Sequence, residues 1–145
     1  AWIFPSVTLL GSLLRAAWEA LGHPLSEGLL VKVLVENGGA AVWLTVVVSA
    51  VIVAPLSEEV LFRRILHDVC ADFGLPLPAL WSAVVFASIH GQPEQFPGLV
   101  LLGVALQWLR TRTGSLWASV LLHAFFNAAA LGVMLVMFLL GEPFG

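Results

Sequence analysis

No charged side chain occurs between Gly38 and Ser57, and this run ends on two adjacent carboxylates, Glu58 and Glu59, with Arg63 one helical turn beyond the second. A run of about 20 uncharged residues is long enough for a helix to cross roughly 30 Å of hydrocarbon. A charge at the centre of such a helix costs roughly 2.5 to 3.5 kcal/mol even on the lenient insertion scale, so three of them together need a compensating role. The default role is a functional site. Composition points to the same solvent, because hydrophobic residues make up 60% of the 145, charged residues 10%, and the mean hydropathy is +1.01. A soluble domain carries about a quarter charged residues. The expected fold is all-α: a polytopic transmembrane helix bundle with its active site within the membrane.

The net charge of −3 decides little, but the basic residues are scattered singly or in pairs, with no stripe that would bind nucleic acid. Membrane lipid is the partner that composition implies. Cys70 is the single cysteine, so neither an internal disulfide nor a multi-cysteine metal site can form.

Residues 1–37 are expected to form a partial or interfacial helix followed by a polar connection, which holds His23, Pro24, Glu27, Lys32 and Glu36. Residues 38–141 form the core and 142–145 a tail. The apolar start at Ala1, without an initiator methionine, leads us to expect a fragment or a trimmed chain. The helix beginning near Gly38 is predicted to continue through Glu58, Glu59 and Arg63 to Gly74, with Pro55 as a kink. A second apolar segment runs from Ala79 to Ile89 and ends at His90-Gly91. A third runs from Phe96 to Leu109 and is closed by Arg110, Thr111 and Arg112, and the run from Thr113 to Gly141 is long enough to span. This arrangement puts Trp81, Trp108, Trp117, Arg110 and Arg112 at one end, as an interfacial belt that the positive-inside tendency makes cytoplasmic.

Three pairs of residues four apart share helical faces: Glu59 with Arg63, Phe86 with His90, and His123 with Asn127. Glu59 and Arg63 are expected to neutralise each other. Glu58, about 100° further round an α-helix, is expected to face elsewhere as the free carboxylate. At a rise of about 1.5 Å per residue, Glu58 and His90 each lie roughly 22 Å from the turn at Gly74, and His123 lies roughly 13 Å deep in the last helix. The groups are near enough in depth to converge, whereas His23 and His67 sit in more polar surroundings and read as surface histidines.

A carboxylate, two imidazoles and an amide inside a membrane are what peptide hydrolysis by an activated water needs. In one version Glu58 with His90 activates the water while His123 and Asn127 hold the oxyanion. In the other, Glu58, His90 and His123 ligate a zinc ion with an open fourth position. Asparagine is a poor zinc ligand and a good hydrogen-bond donor, which leans towards the first.

The run Glu58-Glu59-Val60-Leu61-Phe62-Arg63 resembles the EExxxR motif of the CPBP family, the type II CAAX prenyl endopeptidases and their bacteriocin-processing, Abi-like relatives. Phe86 to His90 is similar to that family's FxxxH motif and His123 to Asn127 to its HxxxN motif, in the family's order. The resemblance covers about residues 43 to 130. It implies an intramembrane endopeptidase of a prokaryotic plasma membrane, acting on a peptide or protein substrate that is prenylated in the CAAX case. Its catalytic positions fall on Glu58, His90, His123 and Asn127, supported by Glu59, Arg63 and Phe86. The family is described both as glutamate-dependent and as metalloprotease, so the resemblance leaves zinc open. Its members generally carry more spanning helices before the EExxxR helix than this chain supplies. Two readings of other classes stand beside it: a proton-coupled membrane carrier, and a catalytically silent scaffold or immunity factor.

Overall fold

The computed structural model describes residues 3–23 and 39–140; the expectations for residues 24–37 and for the tail lie outside the described residues. The described residues form helices with no strand. We number them α1 (Ile3–Ala20), α2 (Ala40–Asp72), α3 (Pro78–Ile89), α4 (Phe96–Thr113) and α5 (Leu116–Leu140). Helix α1 lies against α4, α3 packs along α4, and α5 packs on both α4 and α2. Short turns make consecutive helices from α2 onward antiparallel. The end of α2, the start of α3, the end of α4 and the start of α5 therefore share one end of the structure.

Helices α2 and α5 are long and apolar enough to cross a membrane. Only 11% of the most apolar stretch of α2 and 17% of that of α5 is buried within the chain, so most of this apolar surface faces outward, as lipid requires. Helix α3, at 12 residues, is too short to cross alone. Trp81, Trp108 and Trp117 are all exposed at the shared end, and the Arg112 guanidinium lies 5.6 Å from the Trp108 ring.

At Pro55, where a kink is expected, the helix changes its hydrogen-bonding register. The proline ring clashes with the carbonyl four residues back and its nitrogen cannot donate. Immediately before it, Ser49–Val53 widens to π-helical pairing, in which each amide reaches five residues back. A second π segment, Glu59–Leu66, begins at the second of the paired acids. The chain otherwise remains helical from Ala40 to Asp72, as predicted. At the other end of the bundle the boundary expected at Leu109 is corrected, because α4 continues over Arg110, Thr111 and Arg112 to Thr113. Basic side chains in a last turn complement the helix dipole. The helix stops where Gly114 adopts a left-handed φ of 66°, with its amide bonded to the Arg110 carbonyl at 2.8 Å.

The tightest backbone approach joins α3 to α4. A Cβ placed on Gly103 would lie 2.8 Å from the Ala83 Cβ and 3.0 Å from its Cα, so glycine alone lets these helices meet. Leu102 and Leu106 continue the same face of α4 into a buried cluster with Leu122 and Phe126 of α5. Gly103→Ala is expected to destabilise the chain by about 1–3 kcal/mol through overpacking against backbone. Thermal unfolding in detergent checks this, and an unchanged midpoint would contradict the packing described.

Candidate active site

Three helices deliver the polar residues singled out in the sequence. Helix α2 carries Glu58, Glu59 and Arg63, α3 ends at His90, and α5 carries His123 and Asn127. Glu59 and Arg63 are fully buried, and the Arg63 Nε lies 3.3 Å from Glu59 Oε2, the expected i,i+4 ion pair. The other oxygen of Glu59 faces His123, whose Nδ1 lies 3.0 Å from Oε1. On the opposite edge of the same imidazole, Nε2 lies 3.7 Å from Glu58 Oε2.

The expectation that Glu58 faces away from Glu59 is therefore corrected: both acids meet one histidine, from its two edges. The histidine itself spans the difference in direction: its ring presents Nδ1 to Glu59 and Nε2, on the far edge, to Glu58. They still differ in setting. The Glu59 side chain is sealed, whereas that of Glu58 is 23% exposed.

Phe86, fully buried, is the hub beneath these groups. The Arg63 guanidinium lies 4.6 Å from its ring centroid, a cation–π contact. The His90 and His123 rings meet it edge-on at 4.7 and 5.7 Å, and Phe62 meets it at 5.4 Å. Phe86 therefore fixes the spacing of both imidazoles and gives the buried arginine an apolar wall.

His90 caps α3. Its Nδ1 donates to the Phe86 carbonyl at 2.7 Å, which in the neutral ring leaves Nε2 as an acceptor. No hydrogen bond joins His90 to either glutamate, so its link to the acids runs through the Phe86 ring. Asn127 comes close to neither acid by hydrogen bond: its Nδ2 donates to the Ala50 carbonyl of α2 at 2.7 Å. Among the described residues no group of three His, Cys, Asp or Glu side chains is arranged to hold a metal.

Two supporting residues were not singled out for this role from the sequence. Ser82, buried in α3, donates from Oγ to the Phe62 carbonyl at 2.5 Å. Arg110 donates to the Arg63 carbonyl and lies 3.6 Å from Asp68, which also contacts the His67 ring at 2.9 Å. Arg110 looked interfacial because it sits at a helix end. Its partner is a backbone atom on another helix, which no sequence spacing marks.

A family model described as "Type II CAAX prenyl endopeptidase Rce1-like" matches residues 39–129, from the start of α2 through the HxxxN pair. The chain belongs to this Rce1-like family. It is also 31% identical over 140 residues to a protein of Escherichia coli described as an uncharacterized 24.3 kDa protein. That match covers 92% of this chain and 59% of the relative, so the chain spans a little over half the relative's length. No solved structure matches the chain. Membership of the Rce1-like family brings with it a membrane setting, in agreement with the two long apolar helices.

Burial of Glu59 without its arginine would leave an uncompensated charge. Arg63→Met is therefore expected to destabilise the chain by about 3–5 kcal/mol. Replacing the exposed neighbour Arg64 by Met should stay within about 0.5 kcal/mol. Unfolding in detergent compares the two, and equal effects would contradict the pairing.

Proposed function

We propose that this Rce1-like chain is an intramembrane endopeptidase that hydrolyses a peptide bond with a glutamate-activated water, in a helix bundle that crosses the bilayer. The observation that carries the reading is the placement of His123 between a sealed glutamate, 3.0 Å from Nδ1, and an open one, 3.7 Å from Nε2.

In this reading Glu59, held by Arg63, accepts the His123 Nδ1–H and fixes the tautomer, so that Nε2 faces Glu58 as a base. This is the logic by which a buried carboxylate orients a catalytic histidine. Glu58 takes a proton from a water, and the water oxygen attacks the carbonyl carbon of the substrate. His90 accepts a hydrogen bond from the same water at Nε2 and aims its lone pair. The proton passes from Glu58 to His123 Nε2, whose N–H faces the developing oxyanion and then protonates the leaving amine as the C–N bond breaks. Atoms balance with one water consumed, and no side-chain nucleophile is needed. Asn127 is given no reacting role in this reading, because one of its amide N–H groups fastens it to the Ala50 carbonyl of α2.

The substrate class is a peptide segment that enters the bilayer. A prenylated C-terminal peptide suits the family and the outward apolar faces of α2 and α5. The membrane is taken to be the plasma membrane of a prokaryote.

Glu58→Gln keeps the shape of the side chain and removes its basicity, so it is expected to lower cleavage of a peptide library by about 10²–10⁴-fold while helical content is retained. His123→Ala should do the same. Cleavage at the parent rate by folded Glu58→Gln protein in detergent would overturn the reading.

A further inference from the structure

Both wide segments of α2 present a carbonyl to a side chain from another helix, and the first does so because of a proline. The Ala54 amide donates to the Ser49 carbonyl, five residues back. In that register the next carbonyl, that of Ala50, looks to the amide of residue 55, which is Pro55 and has none. Asn127 of α5 stands in, with Nδ2 on the Ala50 carbonyl at 2.7 Å. At the end of the second wide segment the His67 amide reaches the Phe62 carbonyl, and the following carbonyl, that of Arg63, accepts from Arg110 of α4. Within hydrocarbon no water can take such a carbonyl, so a proline in a spanning helix is tolerated where a neighbouring helix satisfies the freed group.

We propose that Asn127 is a positioning residue: it supplies the hydrogen bond that Pro55 withholds from the Ala50 carbonyl, and so fixes α5 on α2 at the depth and rotation that bring His123 to Glu58 and Glu59. His123 and Asn127 lie four residues apart on one face of α5, so fastening the second places the first. Their latch lies within the helix that carries both acids, eight and nine residues before Glu58 and Glu59. The inference rests on the proposed reading of those acids for its effect on turnover, and on the hydrogen-bond pattern alone for its effect on stability.

The test is a double-mutant cycle on the full chain in detergent: parent, Pro55→Ala, Asn127→Ala, and both together. Asn127→Ala alone is expected to lower the thermal unfolding midpoint by roughly 3–10 °C, the effect of one unsatisfied buried carbonyl. Well below that midpoint it should reduce kcat and leave KM little changed, since a misplaced His123 affects the chemical step rather than binding. With alanine at position 55 an amide becomes able to serve Ala50. Adding Asn127→Ala in that background should then shift the midpoint less than half as far, and kcat should recover to within about tenfold of Pro55→Ala. An equal midpoint loss in both backgrounds overturns the proposal. So does an unchanged midpoint with kcat reduced about 10²–10³-fold in both, because the amide would then be a donor to the oxyanion. The midpoints read the latch even in a chain that cleaves nothing, so coupled midpoints without any turnover would keep the latch and remove the hydrolase reading.

Discussion

Inside hydrocarbon every carbonyl and every charge has to find its partner within the protein, and α2 is where that demand is heaviest. This helix carries a proline, two carboxylates and a buried arginine, and it widens twice along its length. Each widening is matched by polar side chains from elsewhere. Asn127 takes the Ala50 carbonyl, Ser82 takes that of Phe62, and Arg110 takes that of Arg63. Helices α3, α4 and α5 thus each reach the backbone of α2. Apolar surface alone cannot specify a helix arrangement in lipid, because lipid tails are as apolar as leucine, and these polar contacts provide the register.

The charge cluster follows from that frame. Arg63 and Glu59 are sealed together beneath the Phe86 ring, and a buried ion pair of this kind adds little net stability over apolar residues of the same size. The pair also has a partner beyond itself, His123. A carboxylate fixed by an arginine holds one edge of the imidazole, and the other edge is left to Glu58. Two chemically identical residues thus sit in different settings, one sealed and one partly exposed, at the two edges of one ring.

The residues that carry the cluster were legible in the sequence because ionisable groups in an apolar chain are conspicuous and because i,i+4 spacing fixes a shared face. The Glu59–Arg63 pair follows from such spacing, the end of α3 from the glycine after His90, and the continuous helix from the helix-compatible residues on both sides of Pro55. Other features were not. The meeting of Glu58 and Glu59 at one ring depends on where α5 places His123, a contact between helices that no spacing within one helix marks. The partners of Arg110, Ser82 and Asn127 are backbone carbonyls, which have no identity in a sequence. The α4 boundary was placed too early because Arg110 and Arg112 look like a stop signal, yet they extend the helix and one of them crosses to α2. Pro55 was the one visible hint, since a proline within a spanning helix leaves a carbonyl that some other residue has to serve.

The central claim is that His123 is held at one edge by Glu59 and offered at the other to Glu58. Nitrogen NMR of histidine-labelled protein in lipid nanodiscs, with and without Glu59→Gln, tests it most directly. The account predicts a proton on His123 Nδ1 and a clear shift of that resonance when Glu59 loses its charge. A His123 signal that is indifferent to Glu59→Gln in folded protein would contradict it.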